Sequence, residues 1–418
     1  MNDERWWYVL LRKIKKGLLS DSKSSALLSA WFRRVGYPRA VSFFYMPLGV
    51  DRSKVWRPLR AQAEWVASLN AEVYRIGESG ASTRPMVAPS LYCSVINDAD
   101  VLGASNFILA DDQLLHHDLY AFDTDYTSEE NYFRMVLARG RRHAVWMASL
   151  HRVKTLQLAA VFTDGCAANY AHWLTEVLPR VAVFCADERF RGIPLVIDKG
   201  LHPNIMASLR LLVDDQRRVH EVGSGESIRV ERLYWMSVAG YVPYERRESS
   251  PGKHVQGVFS PEALGSLRSA CLKAAGHTEV LPHNDAGPKI YLRRNSGVRR
   301  VRNAQDVERY LVGHGFQVVE PEKLTFAEQV RLFAQASVMV GPTGAAFANL
   351  IFARPDAHIV VFMGVHPDAI YDYWGNIAES VGLTVECLRC ASADDGRGIH
   401  SDFTVDLLAL QKVLGLNA

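Results

Sequence analysis

Val340-Gly341-Pro342-Thr343-Gly344-Ala345-Ala346-Phe347-Ala348-Asn349 is the stretch on which the reading of this chain turns. It follows an apolar run, Ser337-Val338-Met339-Val340, that reads as a buried strand, and precedes Leu350-Ile351-Phe352, which reads as the continuation of a helix. A strand, a tight turn of small residues and a helix start together make an anion site. Free backbone N–H groups and the positive end of the helix dipole both point out of such a turn. A ligand held there carries phosphate or a similar anion.

The flanking pattern sets the turn in an α/β unit. Strands are expected at Lys289–Leu292, Phe316–Val319, Ser337–Val340 and His358–Phe362, alternating with helices at Pro261–Ala275, Ala304–Gly313, Phe326–Ala336 and Gly344–Phe352. Such alternation implies a parallel sheet with helices on both faces and ligands at the carboxyl ends of its strands. Upstream, the texture is α/β from about residue 160, with a helix at Ala168–Ala186, a strand Pro194–Ile197 ending on Asp198, a helix Asn204–Leu212 and a strand Leu233–Val238. Before that come short strand-like runs such as Ser94-Val95-Ile96 and Asn106–Ala110, with a turn at Asp111-Asp112-Gln113. His116-His117-Asp118 follows; neighbours on a strand point to opposite faces, so these histidines make a poor metal pair and are read as structural.

A chain of 418 residues is too long for one ordinary core. The polar stretch Pro243–Lys253, with Ser249-Ser250-Pro251-Gly252, is the expected linker. The division is then a basic segment 1–45, a domain 46–250 and a domain 251–418. Net charge is +3, unevenly spread: residues 1–39 hold nine Lys/Arg against three acids. Trp7, Leu10, Leu11, Ile14 and Leu18 share one helical face with lysines opposite, which fits either an interfacial helix on an anionic membrane or a basic helix packed on the protein itself. The body of the chain is not basic enough for nucleic acid. No transmembrane run or secretory signal is read, and of the six cysteines only Cys387 and Cys390 have metal or redox spacing, without a second pair. A cytoplasmic location is expected.

Three clusters carry candidate chemistry. In Asp164–Glu176, small residues lead into a helix that presents Asn169, His172 and Glu176 on roughly one face; a histidine one turn from a carboxylate suits a base and its orienting partner, though the same face also collects structural polar residues. In Tyr291–Asn303, five arginines (Arg293, Arg294, Arg299, Arg300, Arg302) follow a strand end, and arginine forks match phosphate bidentately. The third is the opening turn, Gly341 to Asn349, with Glu320, Glu322 and Gln329 upstream.

Taken together and in this order, the clusters resemble glycosyltransferase family 61, whose bacterial members are labelled capsular polysaccharide biosynthesis proteins. The family pattern is an N-x-x-H-W-x-x-[DE] helix, Y-[LI]-x-R with R-x-x-N downstream, then G-F, E-Q-V and L-F-x-x-A stretches, and finally G-x-H-G-A with N-x-x-F. It is met here by Asn169–Glu176, Tyr291–Arg294, Arg300–Asn303, Gly315-Phe316, Glu328–Val330, Leu332–Ala336, Gly341–Ala345 and Asn349–Phe352, over roughly residues 85–365. The family's usual histidine in G-x-H-G-A is Thr343 in this chain.

The resemblance implies a GT-B-like α/β architecture, two Rossmann-like domains with the active site in the interdomain cleft, and inverting transfer from a nucleotide sugar. On that reading Asn169, Arg293, Arg294, Arg300, Asn303, Glu320, Gln329, Gly341, Thr343, Gly344, Ala345 and Asn349 bind the donor. His172, Glu176 or Asp164 supplies the base. No D-x-D motif ends a strand in the donor half, so no metal is expected, and the nucleotide sugar is a co-substrate rather than a cofactor. A surface glycan or lipid-linked glycan would be the acceptor, with residues 1–20 touching an anionic membrane. The alternative is a catalytically weak nucleotide-sugar-binding or scaffold protein. A phosphotransferase ranks low, since no G-x-x-x-x-G-K-[ST] occurs.

Overall fold

The apolar run around Met339 forms the strand Val338–Pro342, the third of five parallel strands in a six-stranded sheet. A computed structural model describes residues 41–47, 89, 91–110, 113–117, 119–120, 125–131, 134–138, 143–146, 151–243, 245–246, 257–276, 287–367, 369–393 and 395–416. The basic segment expected at 5–19, the turn residues Asp111 and Asp112, Asp118 and most of the expected linker lie outside these residues.

The six-stranded sheet runs, in space, Phe316–Val319, Lys289–Leu292, Val338–Pro342, His358–Gly364, Glu386–Ser392 and Phe403–Thr404. All its pairs are parallel except the last. Lys289–Leu292 sends its chain outward to one side and Val338–Pro342 sends its chain to the other. The crevice at which such sheets hold ligands therefore opens between the ends of these two strands. They approach closely there: a Cβ on Gly341 would lie 2.7 Å from the Leu292 carbonyl oxygen.

Helix Phe326–Gln335 shows why the local pattern was readable. Thr325 and Glu328 form a reciprocal capping box at its start, and Phe326, Val330 and Phe333 recur at helical spacing on its buried face. Two other helices differ from expectation. The one expected from Ala168 begins at Tyr170, capped by the Asn169 side chain, and passes through a π-helical turn, Trp173–Val177, before Leu178–Ala186. The segment after Gly344 is a 3₁₀-helix, Ala345–Phe352, not an α-helix. From Phe347 to Phe352 every residue is buried, so packing on all sides, rather than an amphipathic period, sets its form.

The first half builds a ten-stranded mixed sheet in the order Val219–Val222, Leu195–Asp198, His151–Val161, Glu226–Met236, Cys93–Leu102, Ile108–Ala110, Gln113–His116, Val41–Pro47, His143–Trp146, Met135–Ala138. Val41–Pro47 pairs with Gln113–His116 and His143–Trp146, so this sheet already includes residues placed before the expected boundary at 45/46. His151–Val161 and Leu195–Asp198 are parallel neighbours joined through the helical stretch that begins at Tyr170.

Helices of the two halves meet face to face. Pro261–Ala274 packs on Leu178–Ala186 and Pro203–Leu212 from the first half and on Phe326–Gln335 from the second. One buried apolar cluster runs through them, from Ala160 and Leu195 of the large sheet to Ile290 and Met339 of the smaller one. The halves thus share a core.

Candidate active site

Gly344 stands at the end of Val338–Pro342 with extended backbone, and a Cβ there would lie 2.0 Å from a terminal guanidinium nitrogen of Arg294. The Arg294 guanidinium therefore sits directly against the turn at the strand crossover. Its Nε–H donates to the Val298 carbonyl at 3.0 Å. A 3₁₀-helix has poorer hydrogen-bond alignment than an α-helix, so the helix-end contribution expected at this turn is reduced. The Arg294 guanidinium supplies positive charge in its place.

The arginines of the loop divide by partner. Arg293 donates to Glu308 at 2.6 Å and 2.8 Å and to Glu320 at 3.1 Å. Arg300 makes a two-pronged pair with Asp402, at 2.8 Å and 3.0 Å. Both were expected on the donor; both are held by carboxylates, and Glu320 is shared among Arg293, Lys323 and Asn295. Arg294 and Arg299 have no carboxylate partner among the described residues, and burial pulls the pKa of each below the usual arginine value, that of Arg294 to about 10 with the neighbouring Arg299 charge adding to the fall.

Several other expected donor ligands form internal bonds. Asn303 bridges Val405, its Nδ2 donating to the carbonyl and its Oδ1 accepting from the N–H. Gln329 is buried and donates to the carbonyls of Pro321 and Leu324, while its Oε1 accepts from the Asn349 amide at 2.8 Å and the Tyr170 hydroxyl at 3.2 Å. Asn349, fully buried, also accepts from Tyr170 at 2.8 Å. Tyr170 belongs to the first half, so this network ties the two halves together beneath the site. Thr343 accepts a 2.9 Å hydrogen bond from Trp374 Nε1. Gly341 serves the close approach of two strands.

His172 and Glu176 form the other wall. His172 Nδ1 is 2.6 Å from Glu176 Oε1. Burial pulls the imidazole pKa down, but the Glu176 carboxylate, its hydrogen bond and the Asp164 charge outweigh that and push it up to about 8. Burial holds the Glu176 carboxyl above its usual range, against the opposing pull of His172. Asp164 is tied down by Cys166 N–H at 2.7 Å and by Asn106 at 3.2 Å, and its own N–H donates to Asp198. Asp198, seen in the sequence only as a strand end, is buried and pushed up to about 8 chiefly by that burial.

Two adjoining cavities open between the halves. The first, about 460 Å³, is lined by Tyr170, His202, Asn204 and Ile205 on one side and by Leu292–Ser296, Glu322, Gln329 and Gly344–Phe347 on the other. The second, about 510 Å³, is lined by Asn169 and His172 facing Arg294, Arg299, Thr343, Gly344, Ala345, Tyr373 and Trp374. Arg294, Ser296, Gly344 and Ala345 line both. Glu176 and Asp164 line neither; of the two, Glu176 is hydrogen-bonded to His172, which does. The site can place a half-buried imidazole base opposite guanidinium charge that has no carboxylate partner among the described residues. Sequence reasoning missed Tyr170 and Trp374, because their partners lie far away in the chain, and it missed the isolation of Arg299. His116 and His117 are buried with ring centroids 4.1 Å apart, and among the described residues no three His, Cys, Asp or Glu side chains converge as metal ligands.

Residues 170–360 match the family model described as Glycosyltransferase 61, which indicates a glycosyltransferase. The matched segment includes the His172–Glu176 pair, the arginine loop and the Gly341–Asn349 turn. No curated protein matches the chain.

Proposed function

We propose, from the premise that residues 170–360 are glycosyltransferase family 61 sequence, that the chain transfers a sugar from a nucleotide-sugar donor to a glycan acceptor in a single inverting displacement. The observation that carries this reading is that His172 and Arg294 line one cavity from opposite halves. Such an arrangement is what two α/β units meeting in GT-B fashion would present, a base on one side and a leaving-group site on the other.

In the proposed step the acceptor oxygen attacks the anomeric carbon from the side away from the phosphate. The new C–O bond forms as the bond from the anomeric carbon to the phosphate oxygen breaks. The acceptor proton passes to the ring nitrogen of His172 that does not face Glu176. Glu176 is the positioning residue: bonded to Nδ1, it fixes the tautomer and stabilises the imidazolium that results. Negative charge gathers on the departing nucleoside diphosphate, where the Arg294 guanidinium and the backbone at Gly344 and Ala345 stabilise it. On this reading a divalent ion is not needed for the leaving group, and turnover that persists in excess EDTA is the expected result.

The acceptor proposed is a surface polysaccharide precursor of the capsule or lipopolysaccharide type, assembled at the inner face of the cytoplasmic membrane. Support comes from the basic stretch 1–39. Deletion of residues 1–20 is expected to abolish binding to anionic vesicles; retained binding defeats that part.

The test of the function is release of nucleotide from a panel of UDP-, GDP- and CMP-sugars, with and without glycan acceptors. Turnover by the wild type, with loss of about 10²–10⁴-fold in His172→Ala, is expected. Donor binding without turnover in the presence of any acceptor would favour the alternative of a nucleotide-sugar-binding scaffold.

A further inference from the structure

Arg299 has a left-handed backbone, with φ 53°, a conformation that favours glycine. Its N–H donates to the His400 carbonyl at 3.2 Å. Its side chain lines the second cavity, yet Nε is buried with no hydrogen-bond partner. The neighbouring arginines Arg293 and Arg300 take the carboxylates of Glu308, Glu320 and Asp402. No Asp or Glu lines the second cavity among the described residues. Two half-buried guanidiniums, Arg294 and Arg299, thus stand at one place without a carboxylate counter-charge among the described residues, and partial loss of water makes each charge favour an anionic partner. A strained residue that persists at such a point marks a site whose geometry is kept for a ligand.

We infer that Arg299 is the second arm of a two-guanidinium clamp with Arg294, built for a ligand bearing two adjacent anionic groups, a diphosphate rather than a monophosphate. This rests on the reading of the site given under Proposed function and adds a residue and a selectivity to it. Arg294, common to both cavities, takes the group at the strand crossover, and Arg299 takes the group farther into the second cavity. Each guanidinium fork offers paired N–H donors to phosphate oxygens.

The test is calorimetric binding of inorganic pyrophosphate, inorganic phosphate, UDP and UMP to the full chain, with thermal melts alongside. Wild type is expected to bind pyrophosphate over phosphate, and UDP over UMP, by about tenfold or more, the scale of one added charged hydrogen bond. Arg299→Gly is expected to erase that ratio while its melting temperature holds or rises, since glycine accepts the left-handed backbone. A merely structural arginine would not give loss of selectivity together with retained stability. Arg299→Lys keeps the charge but not the fork and is expected to lose part of the ratio. Arg309→Ala, which removes one exposed surface charge, is expected to leave it intact. Unchanged selectivity in Arg299→Gly and Arg299→Lys overturns the clamp, as does failure of the wild type to prefer either diphosphate. If the clamp behaves as expected and no nucleotide sugar turns over, the clamp stands and the transferase reading fails.

Discussion

His172 Nδ1 lies 2.6 Å from Glu176 Oε1, and the turn of helix that joins them, Trp173–Val177, is π-helical. The bond closing that turn runs from Leu178 N–H to the Trp173 carbonyl. π-turns cluster at functional sites because they re-aim side chains that a regular helix would place elsewhere. Here the turn follows a histidine that reaches the cavity and carries a carboxylate that does not.

The pair predicts a pH profile. A base must be neutral to accept a proton, and the His172 ring is pushed up to about 8. The apparent kcat/KM is therefore expected to rise with pH and level off above about 8. Glu176→Gln removes the charge that raises the ring, so its profile should level off at lower pH with a smaller plateau. Rates measured across pH 5.5 to 9.5 on both proteins check this; an unmoved limb in Glu176→Gln would show that another group is the base.

Much of the smaller sheet was legible because its strands are short β-branched runs buried on both faces and bounded by turns, as in Val338–Pro342 and His358–Gly364. The His172–Glu176 pairing was legible from helical spacing alone. The segment after Gly344 was not, because a run that is apolar on every side carries no period to separate a 3₁₀-helix from an α-helix. Nor could the sequence say which arginines face the cavity. The carboxylate that takes Arg300 lies 102 residues away, at Asp402, and Glu308 and Glu320 reach Arg293 from later elements. The strand order of the large sheet, with Val41–Pro47 parallel to Gln113–His116, is likewise set by long-range pairing that no local pattern encodes.

Gly344 predicts a separable loss of anion binding. A methyl group placed there meets the Arg294 guanidinium at 2.0 Å, and the far end of a flexible side chain yields more easily than backbone. Gly344 has extended rather than left-handed backbone, so alanine strains nothing else. Gly344→Ala is expected to change stability by less than about 1 kcal/mol while weakening pyrophosphate binding about tenfold or more, as Arg294 is displaced. Calorimetry beside urea denaturation checks both halves.

Thr343, which replaces the histidine usual in the resembling pattern, predicts a stability effect. Its hydroxyl accepts from Trp374 Nε1 at 2.9 Å, and both residues are buried in the cavity wall. Thr343→Val keeps the shape and removes the acceptor, leaving a buried indole N–H unpaired at a cost of about 1–3 kcal/mol. Thr343→Ser keeps the bond and should stay within about 1 kcal/mol of wild type. Equal unfolding midpoints for Val and Ser would mean that the hydrogen bond contributes nothing.

Asp198 predicts that stability falls as pH rises. Its carboxyl accepts N–H donors from Ala104 and Asp164, yet burial outweighs both and pushes it from the ordinary 3.8 to about 8. The folded state therefore holds a proton that the unfolded chain releases, and stability from this group is fully present below about pH 4 and lost as pH rises through about 8. His172 acts in the same sense over a narrower window, its folded value of about 8 standing above an ordinary 6.5. Of these two groups only Asp198 contributes a slope between pH 4 and 6. Asp198→Asn removes the titration, so its urea midpoint should be flatter than wild type across pH 4 to 6, with the His172 decline still visible from about 6.5 to 8. An Asn variant with the wild-type slope below pH 6 would place the buried proton on another carboxyl, with Glu129 and Glu176 next in line because burial raises both.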